Sequence, residues 1–415
     1  MLNSFQHPEI KIPSDLNKLM LLIEKIKKLS SEYLKEIISV RRHLHMHPEL
    51  SFRENNTAAY IEEQLNAIGI ANKKRIAKTG IVALIEGKNP KKKTIALRGD
   101  MDALPIQETN DVVYKSQNAG VMHACGHDVH TSSLLGAAKI LHELKAEWEG
   151  TVKLIFQPGE EKLPGGASLM IKEGVLENPK PEGIFGQHVM PLIETGKVGF
   201  RSGVYMASTD EIYVTVYGKG GHGAMPHMNI DPVLITSHMI IALQQVVSRN
   251  ANPIMPSVLS FGKVIANGAT NVIPDSVYLE GTFRTLDENW RSEAHKKIKQ
   301  MAESICAGMG GHCGFNIVRG YPALINDENL TASARKSAEE YLGKENIVNL
   351  DIWMASEDFS FYSQQTNACF YRLGTRNEAK GITSSVHTST FDIDERALET
   401  GMGLMAFLAV KELSK

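Results

Sequence analysis

The chain has 415 residues, 42% hydrophobic and 22% charged, the balance of an ordinary folded protein too long for one simple core. Its formal net charge of −2 excludes a nucleic-acid binder that relies on bulk positive potential. Four cysteines are too few for a disulfide framework, and no apolar run reaches membrane-spanning length; with no leader-like start, the expectation is a cytoplasmic protein that does not engage a membrane.

Residues 1–14, broken by Pro8 and Pro13, read as a loose arm. From Asp15, the expected cap, the spacing Leu16, Leu19, Ile23, Ile26 is helical, and Ile37 resumes it. His43, His45 and His47, ahead of Pro48, read as a capping and packing cluster at a helix end. A second helix is predicted from about Asn56 to Gly69. Strands follow at 81–86, 94–98, 151–157 and 183–188, with helices near 131–144 and 166–173. The run Lys91-Lys92-Lys93 between the first two strands reads as a solvated hairpin tip. Alternating strands and helices predict an α/β layer sandwich.

From about residue 200 the order changes. A strand at 211–217, a helix at 231–248, strands at 257–265 and 276–285, a helix at 287–307 and a strand at 315–318 give the order βαββαβ. That order is the split ferredoxin-like pattern, so it predicts a self-contained unit inserted in the first. The expected division is 15–198 with 315–415 for a discontinuous catalytic unit and 199–314 for the insert. The tail adds helices near 330–341 and 396–413 and a strand at 369–373.

Ligands in open α/β sheets gather beyond the carboxyl ends of strands. Asp100 and Asp102 follow the strand at 94–98, Glu160 and Glu161 follow 151–157, and His188 ends 183–188. Cys125 and His127 stand two apart in Val121-Met-His-Ala-Cys-Gly-His-Asp-Val-His130, ahead of a long apolar helix. Thiolate, imidazole and carboxylate together are what a divalent transition metal takes from a protein. The turn Gln157-Pro158-Gly159 breaks strand alternation, so both glutamates can face one cleft. One would bind metal and the other would handle a water proton, because a bound metal lowers the pKa of water towards about 7. With His188 and His387 the donors exceed the need of one four-coordinate ion, and two ions sharing a bridging ligand is the economical reading. Asp102 suits the orientation of a metal-binding side chain. Cys306, Cys313 and Cys369 read as small hydrophobes.

In the insert, Gly218-Lys-Gly-Gly-His-Gly-Ala-Met-Pro226 packs glycines around His222, where the backbone can approach a ligand or another chain. It lacks the phosphate-loop pattern. Asn271 and Arg284 lie beside strand edges, and Arg284 has the geometry to clamp a carboxylate bidentately.

Six motifs now stand in order: Arg98-Gly-Asp-Met-Asp-Ala-Leu-Pro105, Met122-His-Ala-Cys-Gly-His-Asp128, Phe156-Gln-Pro-Gly-Glu-Glu161, Gly186-Gln-His188, Gly220-Gly-His-Gly223 and Val386-His-Thr-Ser-Thr-Phe391. Over roughly residues 30–410 the chain closely resembles the two-metal aminoacylase/carboxypeptidase superfamily of metallopeptidases. Within it, the amidohydrolase branch is the match: hippurate hydrolases, N-acyl-amino-acid deacylases, N-acetyl-diaminopimelate deacetylases and plant auxin-conjugate hydrolases.

The resemblance implies an α/β/α catalytic unit with a ferredoxin-like lid through which the chain forms a homodimer. It implies Cys125, His127, Glu161, His188 and His387 as ligands of two divalent ions drawn from zinc, manganese, nickel or cobalt. Glu160 is then the general base and later the acid, and Asp102 the orienting carboxylate. Asp100 stands where the peptidase branches carry a histidine ligand. His222 is the lid histidine that reaches the partner's site to stabilise the oxyanion, and Asn271 and Arg284 hold the substrate carboxylate. The expected activity is hydrolysis of an N-acyl amino acid to a carboxylate and a free amino acid. A dipeptidase or carboxypeptidase on the same site, or a non-catalytic binding protein of this fold, are the alternatives. The chain departs from the pattern in Pro158-Gly159, where relatives often have Pro-Ala, and in an N-terminal extension of about thirty residues.

Overall fold

A computed structural model describes residues 14–415; of the loose arm expected at 1–14, only Ser14 lies within them, and it opens a helix. That helix, Ser14–Met46, is continuous and joins the two helical stretches read from the sequence. It buries Ile26, Leu29, Ile37, Val40 and Leu44 against the helices His127–Glu143 and Ala397–Leu413. At its end His45 is fully buried, 2.8 Å from Asp128 Oδ2 and 3.2 Å from Glu108 Oε1, and His47 Nδ1 lies 2.8 Å from the His43 carbonyl. The helix Asn55–Ile68 stops at Gly69, whose φ of 85° is the left-handed turn glycine adopts without a Cβ clash.

The larger sheet has eight strands in the spatial order Asn72–Ile76, Gly80–Glu86, Thr151–Gln157, Thr94–Asp100, Gly183–Glu194, Asn367–Arg376, Val198–Phe200, Ile347–Asn349. Its middle four, from Thr151–Gln157 to Asn367–Arg376, run parallel. Thr94–Asp100 and Thr151–Gln157 are buried at every position, as strands covered on both faces must be.

The sheet differs from expectation at two places. Gly80–Glu86 and Thr94–Asp100 are not neighbours, because Thr151–Gln157 pairs between them, antiparallel to the first and parallel to the second. Lys91–Lys93 is therefore a crossover and not a hairpin tip, and Lys93 Nζ reaches Glu412 Oε1 at 3.1 Å. The strand expected to end at His188 continues to Glu194, so His188 sits within it; Pro191 hid the continuation.

The smaller sheet has the order Ser257–Ile265, Ser276–Thr285, Asp210–Tyr217, His312–Arg319, all antiparallel. This is the ferredoxin-like arrangement that βαββαβ predicts. The helices Pro232–Gln245 and Glu288–Gly308 pack Ile235, Met239, Leu243, Ala294, Ile298 and Ala302 onto Ile212, Val214, Val216, Leu279 and Phe283. Cys306 and Cys369 are buried and Cys313 is half-buried, as small hydrophobes should be.

The boundaries expected at 199 and 314 both fall inside strands. Val198–Phe200 pairs in the larger sheet, and His312–Arg319 pairs along its length with Asp210–Tyr217. We place the changeover instead at Thr209 and Tyr321, where the two chain crossings are bonded to each other: Thr209 N donates to the Tyr321 carbonyl and Gly320 N to the Thr209 carbonyl, each at 3.0 Å. Beside them Asp210 accepts from Arg291 at 2.6 and 2.9 Å and lies 2.6 Å from His295 Nε2.

Asp210→Asn should lower unfolding stability by about 3 kcal/mol, because Arg291 stays buried with only Glu288 left to neutralise it. Burial raises the Asp210 carboxyl pKa, but His295 and Arg291 outweigh that and hold it below the usual range. This contribution is therefore present above an unfolded pKa of about 3.9 and fades as pH falls through the lower folded value. Denaturant titrations of both proteins at neutral and acidic pH would measure it; an unchanged midpoint in the variant would count against the clamp.

Candidate metal centre

Four chain segments deliver side chains to the carboxyl edge of the parallel strands. Cys125 and His127 lie at the start of the helix His127–Glu143, separated by Gly126 at φ 82°. A Cβ at Gly126 would come within 2.5 Å of Val189 Cγ2, so only glycine turns the chain this closely against the neighbouring strand. Glu160 and Glu161 follow Thr151–Gln157, His188 comes from Gly183–Glu194, and His387 comes from the segment ahead of the last helix.

Asp102 fixes His127. Its Oδ1 lies 3.1 Å from His127 Nδ1, while Oδ2 accepts from Ser51 Oγ at 2.6 Å and from the Glu161 N–H at 3.0 Å. Nδ1 therefore carries the hydrogen, and Nε2 is turned inward, buried, with no hydrogen-bond partner. Burial alone would raise the Asp102 pKa, but these bonds hold it below its usual value, so it stays a carboxylate. His188 donates from Nδ1 to the Val189 carbonyl at 2.8 Å, which points Nε2 at Cys125 Sγ, 3.4 Å away. Burial and then the Arg372 charge push His188 well below the usual imidazole range, leaving it in the neutral form a metal binds.

His387 is held at φ 62°, a left-handed conformation that costs a non-glycine residue on the order of 1 kcal/mol. Its N–H donates to the Ala124 carbonyl at 2.7 Å. The ring Nε2 lies 3.3 Å from Cys125 Sγ and 3.3 Å from Glu161 Oε1. Hydrogen bonds to Cys125 and Glu161 raise its pKa to about 10.

Three donor groups have their ligand atoms within 4.8 Å of one another: Cys125 with His127 and His188, Cys125 with Glu161 and His387, and His127 with Glu160 and Glu161. The Cys125 sulfur is common to the first two. The structure thus brings together the five expected donors and Glu160. Two further acidic groupings are already satisfied. Asp100 accepts from Arg98 Nη1 at 2.7 Å and lies 2.6 Å from His130 Nδ1, and His130 Nε2 accepts the Val189 N–H at 2.9 Å. Glu357 and Asp358 accept from Arg98 Nη2 at 3.0 and 2.9 Å.

A divalent cation fits the remaining set. His127 Nε2 is buried with no hydrogen-bond partner, and Glu161 Oε1 is buried with only His387 Nε2 near it, at 3.3 Å. The His127 pKa is lowered by burial but raised further by Asp100 and Asp102, so a proton sits where a cation would compete for the same lone pair. The mixture of sulfur, imidazole and carboxylate suits zinc and its first-row neighbours.

Glu160 sits against this set with Oε2 4.0 Å from His127 Nε2. Its Oε1 accepts the Asp358 N–H at 3.4 Å, and Tyr321 donates its hydroxyl to the Glu160 carbonyl at 2.5 Å. Burial, then the charges of Glu357, Glu161 and Asp358, push its pKa well above the usual carboxylate range. A carboxyl with that affinity for a proton, one oxygen free beside the donors, has the properties of a general base.

The insert residues lie elsewhere. His222 and Asn271 are exposed on a ribbon formed by Gly221–His222 and Val272–Ile273. His222 Nδ1 accepts the Ala224 N–H at 3.1 Å, and none of its described bonds reaches a donor residue. Arg284 is half-buried, with Nη1 3.3 Å from both the Met354 carbonyl and Ser356 Oγ, and among the described residues it has no carboxylate partner. Sequence reasoning gave no role to Arg98, His130, Glu357 or Asp358. For Arg98 the signal was present, a cation two residues ahead of Asp100 in a strand with no exposed position.

Residues 96–411 match the profile of peptidase family M20/M25/M40. The N-acyl-L-amino acid amidohydrolase of Geobacillus stearothermophilus is 42% identical over 303 residues, 73% of this chain and 81% of that protein. Thermostable carboxypeptidase 2 of Saccharolobus solfataricus is 38% identical over 397 residues, 95% of this chain and 100% of that one. The crystal structure of Bacillus subtilis YXEP, described as a dinuclear metal binding peptidase from the M20 family, matches with a TM-score of 0.80 at 34% identity, covering 92% of this chain and 99% of that one. With three quarters of its length inside one profile and full-length relatives at this identity, the chain belongs to peptidase family M20/M25/M40.

Proposed function

We propose that the protein is a two-metal amidohydrolase that cleaves an N-acyl amino acid to a carboxylate and a free amino acid. Cys125, His127, Glu161, His188 and His387 would hold the ions. When bound, such ions lower the pKa of water and stabilise negative charge on the amide oxygen. Glu160 takes the proton of the attacking water at Oε2 and returns it to the departing nitrogen. Asp102 holds His127 in its working tautomer. The observation that carries this reading is the convergence of the five donors, with the buried Glu160 Oε2 4.0 Å from His127 Nε2.

Arg284 and Asn271 supply the substrate-carboxylate contacts, and His222 acts on the site of a second copy. Self-association through the insert is supported by the exposed Leu234 and Ile241 on one helix and Val264 on an edge strand. Zinc or manganese, then nickel or cobalt, suit the donors. No helix among the described residues is long and apolar enough to cross a membrane, and four free thiols fit a reducing cytoplasm.

The test is free-amine release from hippurate, N-acetyl-methionine, N-acetyl-diaminopimelate and a few dipeptides, on chelated protein and after restoring manganese or zinc. Activity on the acyl amino acids should vanish on chelation and return with metal. Cleavage confined to dipeptides would move the protein to the peptidase reading, which the carboxypeptidase relative keeps in play. Against it stands Asp100, whose two oxygens are engaged by His130 and Arg98. No turnover by protein that holds its metals would favour a binding role.

A further inference from the structure

Among the described residues four arginines are fully buried: Arg41, Arg98, Arg291 and Arg372. The first three each bond a carboxylate, at 2.8, 2.7 and 2.6 Å. Among the described residues Arg372 bonds none. Its Nε donates to the Tyr205 hydroxyl at 2.6 Å, Nη2 lies 3.1 Å from Met206 Sδ, and Nη1 is buried with no hydrogen-bond partner. The guanidinium is enclosed by the rings of Trp353, Phe370 and Tyr205 at 4.9, 5.1 and 5.5 Å. An arginine keeps its charge even when buried, and aromatic faces offset only part of the lost hydration. A cation so placed, with a donor left over, is matched by an anion that comes from outside the chain.

Position says which anion. Arg372 is in register with His188 on the adjacent parallel strand, so it lies at the edge of the metal centre. Of its three rings only Trp353, 38% exposed, meets solvent, while Tyr205 and Phe370 are 1% and 0% exposed. Trp353 is thus the side of this aromatic enclosure that faces solvent. The same short segment supplies Met354 and Ser356, which hold a second, half-buried arginine without a carboxylate partner, Arg284, and it continues into Glu357 and Asp358 beside Glu160. Residues 353–356 thus join two unpaired guanidinium groups at the margin of one reaction centre.

We infer that Arg284 and Arg372 together select an N-acyl amino acid with an acidic side chain, aspartate or glutamate, Arg284 taking the α-carboxylate and Arg372 the second one. This rests on the amidohydrolase reading above and adds the class of leaving amino acid. An isosteric carboxamide leaves the Arg372 charge uncompensated, so discrimination falls on charge and not on size.

The experiment compares kcat/KM for N-acetyl-glutamate and N-acetyl-glutamine in the metal-loaded native protein, Arg372→Met and Arg372→Lys. The native protein should prefer the glutamate at least about tenfold. Arg372→Met should bring that ratio to about one, chiefly through KM for the glutamate, and Arg372→Lys should restore part of it. Should Arg372→Met fail to fold, the native ratio decides, together with inhibition by glutarate but not by butyrate at equal concentration. Equal use of the two substrates, or an equal loss on both in Arg372→Met, overturns the assignment while cleavage of N-acetyl-methionine leaves the amidohydrolase reading standing. No amine release from any acyl amino acid removes both.

Discussion

Glu160→Gln should lower kcat by about 10²–10⁴-fold while the protein keeps its full content of metal. The substitution changes no volume and leaves Oε1 able to accept the Asp358 N–H, but the amide cannot take a proton from water. The burial and neighbouring acids that give Glu160 its proton affinity are lost as a chemical resource, not as packing. Elemental analysis beside steady-state kinetics separates the possible roles. Near-normal turnover would mean that the base is another group. Loss of metal together with activity would make Glu160 a ligand, and the third donor group, in which it stands with His127 and Glu161, would become the relevant one.

Arg98→Met should cost about 3–5 kcal/mol of unfolding free energy, because it leaves Asp100, Glu357 and Asp358 buried without their shared cation. The sign of its pH dependence follows from the carboxyls. Burial raises Glu357 and Asp358 even with Arg98 present, and without it they rise further. A carboxyl raised in the fold stabilises it while both states are protonated, and that stability is lost as pH rises from the unfolded value of about 4 through the higher folded one. The gap between native and variant proteins should therefore be wider at pH 8 than at pH 5.5 in urea titrations. A gap that does not change with pH would show that the carboxyls find another partner.

The donors were legible because they are local. Cys125 and His127 share one turn, and Glu160 and Glu161 follow one strand, so spacing carries most of the information. The partners of Arg98 were not legible, since Glu357 and Asp358 lie 259 and 260 residues away and an acidic pair in a sequence looks solvated. Strand order escaped for a similar reason. Nothing around Lys91–Lys93 reveals that Thr151–Gln157 wedges between the flanking strands, because that pairing depends on the whole sheet. His312–Arg319 alternates between exposed and half-buried positions, which made its first residues read as loop and misplaced the boundary. Arg372 sits among Phe370, Tyr371 and Leu373, where the apolar pattern says strand and the sequence says nothing of a missing counter-charge.

The paired crossings at Thr209 and Tyr321 have a mechanical consequence. Two crossings bonded side by side would confine any rotation of the insert to one axis, as a strap hinge does. Arg284 belongs to the insert, whereas Met354 and Ser356, its partners at 3.3 Å, belong to the larger unit. A rotation about that axis would break those two contacts and move the Arg284 guanidinium away from residues 354–356. Tyr321, at the crossing, also donates to the Glu160 carbonyl, so the junction of the two units is tied to the segment that carries that carboxyl.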